Sequence, residues 1–194
     1  MQLIFPIRHG GVELSIRELL RAMIVESDGS ASDLLLGLMG PKVVTGMMNS
    51  LGAKDLVVAN SEKEMARSEE AQYRNWTSPE STVVLLSMLQ KGRGLTAPSR
   101  ELLLAWMTES PTGPQRIKGL LPAGTRVAHK TGTSATVQGL TAATNDAGII
   151  TLPDGRHLAV AVFVSDSTSD LSSREGAIAR IARAAWDCYT TTQK

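Results

Sequence analysis

Apolar positions recur along this chain with two different periods, and the change from one to the other divides it. Between Ser15 and Val25 the apolar residues Ile16, Leu19, Leu20, Met23 and Ile24 fall three and four apart, with Arg17, Glu18 and Arg21 between them. That spacing predicts an amphipathic helix arriving at Ser27. Ser32 and Asp33 carry capping side chains, so a second helix is expected from there through Leu34 to Met39, stopped by Gly40-Pro41. Met39, Met47 and Met48 read as core filler. Helical spacing returns at Ser81 to Leu89 and at Arg100 to Met107, the latter through Leu102, Leu103, Leu104 and Trp106. Between these runs, Asp55 to Pro79 carries Asn60, Glu62, Glu64, Arg67, Glu69, Glu70, Gln72 and Asn75. This is long and polar for a plain connection, the kind of loop that is often functional.

Beyond Pro122 the pattern becomes strand-like. Strands are expected over Arg126 to Lys130, Leu140 to Leu152 and His157 to Ser165, the last two joined by the turn Pro153-Asp154-Gly155 as an antiparallel hairpin. Ser172 to Tyr189 returns to a helical rhythm through Ile178, Ile181, Ala184 and Ala185, a closing helix packed on the sheet. The expected fold class is α/β of the α+β type, a helical lobe beside an antiparallel sheet. Residues 1–121 form the helical lobe and residues 122–194 the strands with the closing helix. No internal repeat interrupts this order.

Charge narrows the functional classes. With 20 Lys plus Arg against 19 Asp plus Glu, the formal charge of +1 offers no field for nucleic acid or an anionic membrane. The single cysteine, Cys188, has no second cysteine with which to form an internal disulfide, and it reads as a structural thiol in the last helix. Met1 to Ile7 is apolar but broken by Gln2 and Pro6, too short for the apolar stretch of a signal peptide or for a membrane span. No Gly-rich phosphate fingerprint joins a strand to a helix, and no His or Cys spacing suits zinc. No cofactor and no metal are expected.

Three local patterns remain that carry chemistry: Ser27-Asp28-Gly29 after a helix end, Glu62 in the polar loop, and His129-Lys130-Thr131-Gly132-Thr133-Ser134 at the end of the first strand. A lysine followed by hydroxyls and a glycine on a strand places an ammonium, O–H groups and backbone N–H groups around an anionic oxygen. Each pattern alone is more often a turn.

Together, and in this order, they resemble the penicillin-recognising serine hydrolases, whose signature joins a Ser-x-x-Lys pair, a Ser-Asp-Asn motif and a Lys-Thr-Gly motif. The likeness extends to Glu26-Ser27-Asp28, the loop from Glu62 to Met65, the run from Gln72 to Pro79, Thr112-Gly113-Pro114, Leu121-Pro122-Ala123-Gly124, Thr144-Asn145-Asp146 and Leu152-Pro153-Asp154-Gly155. The chain from about Val12 onward is similar to class A serine β-lactamases, particularly the extended-spectrum branch. The resemblance implies a β-lactamase/transpeptidase-like fold and a periplasmic or secreted setting. It implies β-lactam antibiotics, penicillins and cephalosporins, as the small-molecule partners.

By that resemblance Ser27 passes a proton toward the β-lactam nitrogen, and Asp28 holds its loop. Gly29 stands where the family usually has asparagine, which opens the side of the pocket that meets the substrate's acyl group. Glu62 is the expected base of deacylation, with Glu64 as the alternative. Ala66 occupies the place of an asparagine that helps hold the hydrolytic water, and Asn60 and Asn75 stand where an oppositely charged pair commonly clamps the loop, so a different loop arrangement is expected. Lys130 sets the field for the substrate carboxylate, and Thr131 and Ser134 offer it hydroxyls. Gly132 belongs to the same wall, Thr133 supplies an oxyanion-hole N–H, and Arg116 resembles an arginine that reaches toward the carboxylate.

The acylating Ser-x-x-Lys pair is absent. The residues three before Lys42, Lys54, Lys63, Lys91, Lys118, Lys130 and Lys194 are Met39, Leu51, Asn60, Met88, Gln115, Val127 and Thr191. No substitute nucleophile is identified. The resemblance implies a chain truncated at its N-terminus, without a strand that would pair with His157 to Ser165. An exposed apolar edge of Leu158, Val160, Val162 and Val164 is therefore expected. The expected state is an inactive or incomplete fragment that oligomerises or is completed by an N-terminal segment. The alternatives are a penicillin-binding cell-wall peptidase or transpeptidase, and a non-catalytic fragment that binds β-lactams.

Overall fold

In the computed structural model, residues 4–7 and 12–191 are described. Met1 to Leu3 of the N-terminal apolar run, and Lys194, lie outside them. Strand β1 (Ile4–Ile7) pairs antiparallel with β2 (Val12–Ser15), Ile4 opposite Ser15. Ser15 then caps α1 (Ile16–Arg21), its hydroxyl accepting from Glu18 N while the Glu18 carboxylate takes Ser15 N at 2.7 Å. This reciprocal box satisfies orphan donors of the first turn. The expected helix over 15–25 is present, but its last turn, Ala22–Glu26, widens to π geometry and stops at Ser27.

The second helix starts earlier than expected. α2 spans Gly29–Met39 and is capped by Asp28, which accepts Ala31 N at 2.8 Å. Ser32 and Asp33 lie inside it. Gly40, at φ 83°, ends α2, and Pro41 immediately opens α3 (Pro41–Ser50). A proline at a first helical position gives up only an N–H that has no partner there, so the residue expected as a stop also serves as a start. Met39 and Met47 are 50% and 40% exposed, which overturns their reading as core.

The polar stretch has structure of its own. β3 (Leu56–Val57), α4 (Glu62–Met65), α5 (Glu69–Gln72) and β4 (Trp76–Thr77) follow in order, and β3 pairs with β4 to close the base of the loop. Ser78 caps α6 (Pro79–Gln90) and Thr96 caps α7 (Ala97–Glu109).

The sheet comprises β5 (Val127–Thr133), β6 (Thr136–Val137), β7 (Leu140–Thr151) and β8 (His157–Ser167). β7 is central, with β5 and then β6 along one side and β8 along the other, all antiparallel. The expected hairpin joins β7 to β8, with Thr151 opposite His157. α8 (Leu171–Thr191) covers one face, where Ile178, Ala182 and Trp186 bury against Val127, Ile150, Val160 and Val162. Leu86 of α6 and Met107 of α7 pack on the other face against Ala128 and Ile149.

The apolar residues of β8 do not form an exposed edge. Val160 and Val162 are 7% and 6% exposed, and Leu158 and Val164 pack against the same cluster under α8. Alternation sends strand side chains to the two faces of a sheet, so what an edge presents is backbone. Among the described residues β8 pairs only with β7.

Candidate active site

The first group of site residues meets where the helical region approaches β5. Ser27 sits in the left-handed region, φ 57° and ψ 39°, with its N–H turned back to Ala22 O. Lys130 reaches it from β5, 103 residues away, donating from Nζ to Ser27 Oγ at 2.6 Å and to Thr131 O at 2.8 Å. Burial holds Lys130 below the ordinary lysine range; the negative charges of Glu62 and Asp146 pull it back up, and Arg116 adds to the lowering. Asp28 acts as the helix cap already described, which fixes the turn bearing Ser27. A Cβ on Gly29 would stand 3.3 Å from Glu62 Cβ and 3.4 Å from its Cγ, so the start of α2 lies directly against the Glu62 stem.

The loop bearing Glu62 is held by neutral amides. Asn75 Oδ1 accepts Ala59 N at 2.7 Å and Asn60 N at 2.8 Å, and its Nδ2 donates to Asn60 O at 2.8 Å. Asn60 Nδ2 donates to Ala71 O at 2.8 Å. These bonds connect the two ends of the loop without an ion pair. Asp33, expected as a cap for its own helix, instead accepts Glu62 N at 2.7 Å and Lys63 N at 3.0 Å, capping α4 from across the gap. The two candidate glutamates differ in engagement. Glu64 takes Ser61 N at 2.7 Å and Ser61 Oγ at 3.0 Å, bonds that hold its carboxyl below the usual range. Farther along, Tyr73 donates its phenol to Asp166 Oδ1 at 2.6 Å. A cavity of about 550 Å³ opens between this loop and the sheet, lined by Tyr73, Asn75, Trp76, Asn145 and Phe163 among others.

The strand wall is supported from behind. Arg116 is buried, and its nitrogens hold protein oxygens: Nε bonds Glu175 Oε1 at 3.1 Å, Nη1 bonds Gly132 O at 3.1 Å and Asn145 O at 2.8 Å, and Nη2 bonds Thr133 Oγ1 at 2.7 Å. The expected reach toward a ligand carboxylate is thus met by a guanidinium that ties β5, β7 and α8 together. Thr131 Oγ1 donates to Thr112 Oγ1 at 2.8 Å, and Thr112 shares a hydrogen bond of 3.0 Å with Ser110. Gly113, at φ 56°, allows this approach, because a Cβ there would fall 2.6 Å from Thr131 Cγ2. Ser134 Oγ accepts Ala143 N at 2.9 Å. His129 and Asp146 are fully buried, with His129 Nδ1 at 3.0 Å from both carboxylate oxygens, and Asp146 Oδ2 also takes Ile117 N at 3.1 Å. Sequence reasoning missed Asp33 and Glu175 as supports. An acidic side chain inside a helix gives no local sign of a backbone donor 29 residues away.

Over residues 4–189 the chain matches the model of the beta-lactamase enzyme family. The chain belongs to that family. It is 46% identical over 172 residues to the extended-spectrum beta-lactamase PER-1 of Pseudomonas aeruginosa, covering 88% of this chain and 56% of that protein. It is 37% identical over 182 residues to the beta-lactamase VEB-1 of Pseudomonas aeruginosa, covering 92% and 61%. Among solved structures, a beta-lactamase from Chitinophaga pinensis matches with a TM-score of 0.90 and 46% identity, over 92% of this chain and 67% of that one. The TLA-3 extended-spectrum beta-lactamase matches with a TM-score of 0.91 and 44% identity, over 93% and 66%. The chain therefore has the class A serine β-lactamase fold, a helical region beside an antiparallel sheet, and spans 56% and 61% of the two named relatives. Among the described residues no group of three or more His, Cys, Asp or Glu is placed to hold a metal, and no helix is long and apolar enough to cross a membrane.

Proposed function

We propose that this chain provides the β-lactam-binding wall and the proton-transfer groups of a class A serine β-lactamase. The observation that carries this reading is the 2.6 Å contact between Lys130 Nζ and Ser27 Oγ, beside the helix start that touches Glu62. Lys130 supplies the positive field for the substrate carboxylate, and Thr131, Gly132 and Ser134 form the wall along which it lies. Thr133 offers a backbone N–H to the developing oxyanion, with Arg116 and Glu175 holding that strand end rigid. Ser27 relays a proton to the departing ring nitrogen through its contact with Lys130. Glu62 is the base that directs water onto the acyl ester. Glu64 is less suited to that role, because its carboxylate serves Ser61. A loop that places a carboxylate for deacylation suits a hydrolase better than a transpeptidase.

No Ser-x-x-Lys pair occurs in the 194 residues, so in this reading the acylating serine of the full cycle comes from a complementing segment. Two measurements test the proposal. Benzylpenicillin titrated against the chain by tryptophan fluorescence should bind, and Lys130→Ala should weaken it at least tenfold, a loss of about 1.4 kcal/mol or more. Hydrolysis of a chromogenic cephalosporin by the chain alone should stay well below about 1 per second. Binding unchanged in Lys130→Ala would remove the carboxylate-recognition role, and turnover at or above that rate would remove the incomplete-site reading.

A further inference from the structure

The layer under α8 contains a buried ionisable pair that the proposed function leaves unused. His129 stands two residues after Val127 on β5, and Asp146 is opposite Val162 in the pairing of β7 with β8, so both side chains turn into the apolar cluster beneath the helix. Both are fully buried, with His129 Nδ1 at 3.0 Å from each carboxylate oxygen. A carboxylate only accepts, so hydrogen-bond logic assigns a proton to Nδ1. Nε2 is enclosed too and has no hydrogen-bond partner among the described residues. A proton there would make a buried cation whose second donor meets nothing, which costs more than a bare lone pair. Asp146 Oδ2 also accepts Ile117 N at 3.1 Å, a second donor suited to a charged carboxylate. The arrangement fits a neutral Nδ1–H imidazole beside an ionised Asp146. The imidazole then holds the carboxylate without cancelling its charge.

We propose that Asp146, held by His129, is a shared counter-charge that positions the two cations of the wall, Arg116 and Lys130. Its bonds run to the immediate neighbours of both. Ile117 N, next to Arg116, donates to Asp146 Oδ2, and Arg116 Nη1 donates to Asn145 O at 2.8 Å, so residues 116 and 117 dock on residues 145 and 146 through two bonds. Lys130 follows His129 on β5, and alternation sends its side chain to the opposite face of the sheet. The carboxylate acts on the ammonium through the thickness of the sheet, where enclosure leaves little water to screen it. Burial lowers the pKa of Lys130, Glu62 on α4 and Asp146 on β7 raise it, and Arg116 between α7 and β5 lowers it; the net direction is down. Lys118, whose Nζ donates to Ser110 O at 3.1 Å, receives the same upward push from Asp146 against its own burial. His129 and Asp146 are positioning residues, acting through Arg116 and Lys130 from the far side of the sheet.

That the two cations serve a substrate carboxylate rests on the proposed function; the counter-charge behind them does not, and the experiment separates the two. The full chain is labelled with nitrogen-15 histidine and ε-carbon-13 lysine for NMR, and circular dichroism checks the fold of each variant. At neutral pH His129 should show a protonated Nδ1 and a bare Nε2, with His9→Gln and His157→Gln removing the other two histidine signals. Protons on both ring nitrogens, or on Nε2 alone, overturn the proposal. Asp146→Asn keeps the shape and removes the charge. It should lower the titration midpoint of Lys130, assigned by its loss in Lys130→Gln, and speed solvent exchange of the Arg116 Nε–H. Either readout unchanged in the folded variant overturns the proposal. Val127→Ala loosens the same buried face of β5 without touching a charge and should leave the Lys130 midpoint in place; an equal fall there reduces Asp146 to packing and overturns the proposal too. The tautomer measurement keeps Asp146, so it stays decisive where Asp146→Asn does not fold. Benzylpenicillin binding should weaken at least about fivefold in Asp146→Asn. A shifted Lys130 with unchanged penicillin binding upholds the counter-charge and overturns the β-lactam reading of the wall.

Discussion

The two faces of the sheet are built for different purposes. Toward α8 the strands present Val127, Ile150, Val160 and Val162, which close with Ile117, Ile178 and Trp186 into a dense apolar layer. Toward the helical region, alternation gives Ala128, Lys130 and Gly132 on β5, Asn145, Ala147 and Ile149 on β7, and Ala159, Ala161 and Phe163 on β8. Bulky branched side chains fill the first face. On the second, small and polar residues leave room for a cavity of about 550 Å³ and for a lysine held against a serine. The larger apolar cluster lies on the α8 face. The face bearing Lys130 gives up packing volume in exchange for space and polar groups, the division that the proposed function calls for.

Substitutions on each side test this division. Ile150→Ala, at a fully buried position under α8, should cost about 2–5 kcal/mol in urea unfolding. Phe163→Ala on the opposite face should cost less, because its ring already borders the cavity. Equal losses would show that the faces are packed alike. Next in size is Asn75→Ala, which strips the Glu62 loop of the amide that meets Ala59 N, Asn60 N and Asn60 O. A loss of about 1–3 kcal/mol is expected, with faster amide hydrogen exchange confined to residues 56–77. Exchange spreading into β7 would mean that the loop and the sheet are one cooperative unit.

Smaller effects sharpen the chemical side. Gly29→Asn forces a Cβ to within 3.3 Å of Glu62 Cβ. Affinities should shift by about twofold to tenfold, up to about 1.4 kcal/mol, and unequally for a small penicillin and a bulky cephalosporin. Equal shifts would remove Gly29 as a determinant of acyl-group preference. The smallest effect concerns the clasp between the loop and the end of β8. Hydrogen bonding to the Asp166 carboxylate raises the Tyr73 phenol above its ordinary value. A pKa raised in the folded state means that the clasp's contribution is fully present below the ordinary tyrosine pKa and is lost as pH rises through the higher folded value. Difference absorbance should show one of the two tyrosines ionising late, and Tyr73→Phe should remove that late component. Late ionisation that persists in Tyr73→Phe would assign it to Tyr189.

What the sequence determined by itself was local or periodic. The 3.6-residue rhythm placed α1, α6, α7 and α8, and Pro153-Asp154-Gly155 placed the hairpin between β7 and β8, because both signals are written within a few residues of where they act. The grouping of Ser27, Glu62 and Lys130, and the meaning of asparagines at positions 60 and 75 in place of a charged pair, were legible only through order and family resemblance. Tertiary structure decided the rest. It turned Asp33 from a presumed cap of its own helix into the cap of α4, buried Arg116 behind the wall, exposed Met39 and Met47, and sent the valines of β8 under α8. In each case the residue type fits more than one environment. An aspartate caps any nearby helix start, and an arginine serves substrate or scaffold equally well. The choice depends on which backbone donor, carbonyl or apolar surface packing brings within about 3 Å to 4 Å, and those partners lie tens of residues away along the chain.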